Sequence, residues 1–149
     1  MAQENITVIR LCELLGSHFT VMTYTWGCHW NVVGADFKAT HEFLKELYES
    51  EQDRVDAVAE RIRALGSVCP NSVKEMELRT LVSDSELDVE NHGVTSVWAG
   101  LAHLWEKMIG IIAYAYTSIS EDDIATKSFL ESMTEEMQKE LWMIKSNLG

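Results

Sequence analysis

A single proline, Pro70, interrupts the 149 residues, so long helices are free to form on either side of it. The eight glycines are scattered, and no low-complexity run or repeat marks a linker. One domain over residues 1–149 is expected. Cys12, Cys28 and Cys69 form an odd set without CxxC spacing, which excludes a fully paired disulfide framework and fits the reduced thiols of a cytoplasmic protein. Cys28 adjoins His29, but neighbouring side chains diverge on a helix, so Cys28 is expected to pack rather than to ligate. No apolar run is long enough to span a membrane, and the opening MAQENITVIRL lacks both the basic start and the apolar core of a signal peptide. Basic residues are scarce, 12 against 24 acidic ones, for a net charge of −12. That balance argues against direct DNA binding, which depends on neutralising phosphates. No glycine-rich phosphate loop points to a nucleotide enzyme.

What the chain does have is a dense block between His29 and Glu60, made of HWNVVG, THEFLKELYES and DRVDAVAERI. A helix is predicted from about residue 36 to 65. With His41 taken as zero at 100° per residue, Lys45 falls near ~40°, Asp56 near ~60° and Glu60 near ~100°. Leu44, Leu47, Tyr48, Val55, Val58, Ile62 and Leu65 gather between roughly 240° and 340°, a separate apolar face for the core. Glu42, Glu46, Glu49 and Asp53 lie beside the first stripe, as a solvated face or as a wall that collects cations. His29, His41, Asp56 and Glu60 are the candidate metal ligands.

Spacing limits how those four act together. His41 and Asp56 are separated by about 22 Å along a helix axis, at about 1.5 Å per residue, so they cannot hold one metal within one chain. His29 approaches His41 if the first helix ends near Val32 and the chain turns back through Gly34. If all four residues serve one site, two chains must lie antiparallel across a two-fold axis and build two identical sites.

The pattern H-W-N-V-x-G-x-x-F-x-x-x-H followed by D-x-x-x-E-R-I resembles the Dps family of mini-ferritins, the DNA-binding proteins from starved cells. The ending, with Leu141-Trp142-Met143 and Leu148-Gly149, is similar as well. The resemblance implies an all-α, ferritin-like four-helix bundle with a short helix in the long crossover between helices 2 and 3. It implies a homo-oligomer, a hollow dodecamer, with iron sites at the two-fold interface: His29 and His41 from one chain, Asp56 and Glu60 from its partner. The implied reaction is oxidation of Fe(II), with hydrogen peroxide preferred, and storage of the ferric mineral. A shell with an impaired oxidase, acting in metal sequestration or as a structural cage, is the alternative.

That alternative rests on one departure. Four residues after the second histidine the family commonly has an aspartate that helps hold a second iron, and here stands Lys45. A protonated lysine is no ligand and is expected to pair with Asp56 or Glu60 of the partner chain. Some relatives grip DNA through a lysine-rich N-terminal arm, whereas here Arg10 is the only Lys or Arg before Lys38.

Other helices are predicted over about 6–32, with Asn5 or Thr7 near the cap, and over about 73–81, 95–118 and 122–147. His18 is expected to be structural or exposed, Trp30 core or interface, and the acids of 83–91 merely solvated. His103 with Glu106 reverses the Glu-x-x-His order of di-iron helices, so His103 is read as structural, and His92 as a cap. Met133, Met137, Trp142 and Met143 are expected in the core. Near residues 120–128, where the resemblance places a three-fold pore, Asp123-Ile-Ala-Thr126-Lys127-Ser128 predicts a less acidic lining than usual.

Overall fold

A computed structural model describes residues 5–87 and 91–149. Among them run α1 (Ile6–Asn31), α2 (Phe37–Ala64), α3 (Val73–Arg79), α4 (Val94–Thr117) and α5 (Ile124–Ser146), with a 3-10 turn over Asp84–Leu87. The all-α bundle with a short crossover helix is therefore observed, and no helix among the described residues is long and apolar enough to cross a membrane. Asn5 caps α1 by accepting the Thr7 amide at 2.9 Å. Asp123 caps α5 through the Thr126 amide at 3.1 Å, so α5 starts two residues later than predicted and leaves Glu121 and Asp122 before the cap.

Chain direction follows from two joints. Residues 32–36 turn α1 directly into α2, where Gly34 adopts φ 130° and Asp36 φ 60°. Val33 then donates to the His92 carbonyl at 2.9 Å, which ties this bend to the start of α4. α2 and α4 thus begin at the same end of the bundle, and residues 65–93 must travel back along its length. α3 rides on α1 during that return. A Cβ at Gly16 would stand 2.7 Å from the Met76 carbonyl oxygen and 2.9 Å from the Thr80 nitrogen, so the missing side chain permits the backbones to touch. The Ser17 hydroxyl also accepts the Leu81 amide at 2.9 Å.

The crossover is better anchored than expected. Glu86 accepts the Ser83 amide at 2.8 Å and lies 3.5 Å from His103 and 3.6 Å from Lys107, so this acid is not merely solvated. The Ser83 amide holds its carboxyl below the usual glutamate range. Residues 88–90 of the same stretch lie outside the described residues. Met133 and Met137 are buried as expected, but Trp142 is 65% exposed and Met143 36% exposed. Helical period explains the difference: Ile144 returns to the face of Met137, whereas Trp142 points about 140° away from it.

The bundle centre holds a chain of polar groups. Glu51 and His18 are fully buried and Arg54 nearly so. The His18 Nδ1–H donates to Glu51 at 2.6 Å, and Arg54 donates to Glu51 at 2.8 Å and to Glu140 at 2.6 Å. The Trp105 indole N–H closes the chain on Glu140 at 2.9 Å. One network thereby joins α1, α2, α4 and α5. His18 Nε2 and Arg54 Nε remain buried without a partner. Burial pushes the Glu51 carboxyl up, but the His18 and Arg54 charges and hydrogen bonds outweigh it and hold the group below the usual glutamate range.

Glu51→Ala removes the Glu51 partner of His18 and leaves Arg54 with Glu140, and is expected to cost about 3–5 kcal/mol, measured by chemical or thermal unfolding. The sign with pH is fixed by the lowered value. Glu51 stabilises the fold above the ordinary glutamate range, and that contribution disappears as pH falls through its depressed folded value. An acid titration of stability should show this loss in the wild type and lack it in Glu51→Gln.

Candidate metal centre

His29 ends α1 and His41 occupies the first turns of α2, so the bend at 32–36 brings them face to face. His29 Nδ1 meets the His41 carbonyl at 2.6 Å, and His41 Nδ1 meets the His29 carbonyl at 2.7 Å. Because a carbonyl only accepts, both Nδ1 atoms carry the proton and both Nε2 atoms are left as lone-pair donors. The rings stack with centroids 3.7 Å apart and planes 14° from parallel. Backbone carbonyls that hold the far nitrogen are how metal-binding imidazoles are oriented, so each histidine is set as a ligand by the other helix.

Aromatic groups frame this pair. Tyr48 stands edge-on to His29 at 5.3 Å, and Phe37 stacks on His41 at 5.1 Å. Trp26 bridges Trp30 and Tyr48 at 4.9 and 5.7 Å. Trp30 is 61% exposed, so the core placement considered for it does not hold in the single chain. Trp26 and Phe37 are also exposed, which leaves an uncovered aromatic surface around the histidines.

Asp56 and Glu60 lie on the exposed side of α2, one turn apart and far along it from His41. Among the described residues, no three of His, Cys, Asp or Glu converge on a metal position within the chain. The histidines are brought together; the carboxylates are not brought to them. Lys45 lies 3.8 Å from Glu49 of its own helix. The other candidates stay apart from this site. His103 faces Glu86, while Glu106 pairs with Lys145 at 2.6 Å. Gly93 is the N-cap of α4 and no side chain caps that helix, while the Asn91 side chain accepts the Gly93 amide at 3.0 Å just before it, so His92 is not the cap.

Cys28 is buried, as expected of a packing residue, and burial pushes its thiol up to about 11, partly offset by a hydrogen bond with Tyr24. The chemistry available here is nitrogen and oxygen donation with open positions. That donor set suits ferrous iron and other borderline dications, and lacks the thiolates of a closed structural zinc site.

Residues 10–149 match the ferritin-like domain family. A DNA protection during starvation protein of Helicobacter pylori is 26% identical over 123 residues, covering 81% of this chain and 83% of that protein. The protein of the same name from Halobacterium salinarum is 40% identical over 75 residues, half of this chain and 38% of its own. Among solved structures, a mutant of Mycobacterium smegmatis Dps1 superposes with a TM-score of 0.88 at 21% identity over the whole of both chains.

Native protein treated with iodoacetamide near neutral pH should be labelled first at the partly exposed Cys69, because Cys12 and Cys28 are buried and the Cys28 thiol is held neutral. Peptide mapping checks this; labelling of Cys28 at the rate of Cys69 would contradict the buried placement.

Proposed function

The chain belongs to the ferritin-like family as a Dps-type mini-ferritin, and on that premise we propose that it is an iron-storing cage protein that oxidises Fe(II). The observation that carries this reading is the reciprocal histidine pair at one end of α2, with Asp56 and Glu60 about 22 Å or more along the same helix. Two chains laid antiparallel across a two-fold axis bring each histidine pair to the other chain's carboxylates. His29, His41, Asp56 and Glu60 then form a site of imidazole and carboxylate donors, and the exposed ring of Trp26, Trp30 and Phe37 supplies apolar surface for the contact.

In the proposed cytoplasmic reaction, ferrous iron is the substrate and hydrogen peroxide the preferred oxidant. Two Fe(II) give two electrons to one peroxide, whose O–O bond breaks; two protons are taken up and two waters leave with two Fe(III). The shell is a dodecamer built from one domain per chain, which keeps the ferric product as mineral and so limits oxidative damage. Glu46, Asp53 and Glu136 line a groove between α2 and α5, and in this reading their carboxylates face the mineral. DNA is not gripped directly, because a net charge of −12 repels phosphate. Lys45 favours a second reading, in which the same shell binds dications with its oxidase impaired.

Subunit complementation tests the site. His29→Gln and Glu60→Gln proteins should each oxidise Fe(II) at least tenfold more slowly than wild type after a peroxide pulse. Refolded together, they should regain about a quarter of the wild-type sites, since half of the random dimers are mixed and each mixed dimer restores one of two sites. No recovery in mixtures that form full-size shells would place the ligands within one chain and sink the proposal.

A further inference from the structure

The stacked histidines cannot share one ion. An imidazole lone pair lies in the ring plane, and a metal–nitrogen bond is about 2.0–2.1 Å. With centroids 3.7 Å apart and planes 14° from parallel, an ion midway between the rings would stand about 1.7 Å out of each plane, more than about 50° off either lone pair. His29 and His41 therefore address two neighbouring positions, one each.

The surroundings of these positions differ in charge. On α1, the residues three and four before His29 are Trp26 and Thr25, and the bend that follows begins with Val32 and Val33; none is charged. On α2, His41 is flanked by Lys38 three residues before it and Lys45 four residues after it, so both lysines border its face of the helix. Neither ammonium is tightly held: Lys38 lies 3.9 Å from Glu42 and Lys45 3.8 Å from Glu49, and both side chains are more than half exposed. Each lysine also engages the acid that would otherwise attract a cation beside it.

From this asymmetry we infer that Lys45 acts as a fixed cation in the His41 position, so that each site takes one divalent ion, held on the His29 side. The inference deepens the two-fold site proposed above and rests on it. Lys45 is the determinant because it lies one turn from His41 toward the middle of α2, where the antiparallel chains of the proposed site would cross, whereas Lys38 lies toward the bend. A divalent ion at His41 would meet an ammonium where a second carboxylate is needed to hold it, and the tethered lysine supplies its charge without the entropy lost on binding a free ion.

The test counts Co(II) alone, by calorimetry and by its visible absorption, on assembled, metal-stripped protein at neutral pH. One equivalent per chain is expected for the wild type, and its loss in His29→Gln, where the amide still donates to the His41 carbonyl. Lys45→Asp should take two equivalents, the second disappearing when His41→Gln is added. Lys45→Met, which keeps the stem without charge or ligand, separates removal of the ammonium from addition of a carboxylate. It should bind a second ion at least tenfold more weakly than Lys45→Asp. Two equivalents in the wild type, or a single one that survives His29→Gln, would overturn the inference while leaving the shared site intact. No binding by any form, with shells assembled, would instead remove the site itself and the inference with it.

Discussion

Glu51 places a carboxylate at the centre of an apolar bundle, and the rest of the packing is arranged to satisfy it. A lone buried carboxylate would be driven to its neutral form or would unfold the site. Here it receives hydrogen bonds from His18 on α1 and Arg54 on α2, and Arg54 passes the constraint on to Glu140 of α5, which Trp105 of α4 also holds. The network gives α5 a directional attachment to α2, where the helices otherwise approach each other little and leave a groove of about 630 Å³. Such a chain gains little over a well-packed apolar centre, but breaking any member strands the others. What the contacts do fix is where α1, α2, α4 and α5 meet at the bundle centre.

The same logic of mutual satisfaction operates at the surface end of the bundle. His29 and His41 each use one nitrogen to hold the other helix's backbone and keep the other nitrogen available. The bend between them is short, relies on the positive φ of Gly34, and is pinned to α4 through Val33. The imidazoles are thus oriented by the single chain alone. Pre-organisation of this kind fits the half-site proposed above, whose carboxylates lie too far along α2 to come from the same chain.

The helices were legible in the chain because one proline and a persistent 3.6 period leave little else for it to do. The histidines at the bend and the carboxylates far along α2 were legible too, since rise per residue is a local property. The central network was missed, although a signal was present. Glu51 sits near ~280° on the α2 wheel, inside the apolar arc, where a charge must be paired or displaced. Arg54, three residues on, supplied one partner on the same helix. Trp142 was misplaced for the opposite reason: a large apolar residue was assigned to the core by type, against the phase that Met133, Met137 and Ile144 define.

Local rules, then, determined the helices, their caps at Asn5 and Asp123, the donor types of the site and the acidity of the surface, since each depends on residues within a few positions of one another. Tertiary structure decided the rest. Which nitrogen of each histidine is exposed depends on a carbonyl twelve residues away. Which partners the central network acquires depends on residues far apart in the chain, 33 positions for His18 with Glu51 and 86 for Arg54 with Glu140. Side-chain period fixes the direction in which a residue points, but only the packed bundle fixes what it meets there.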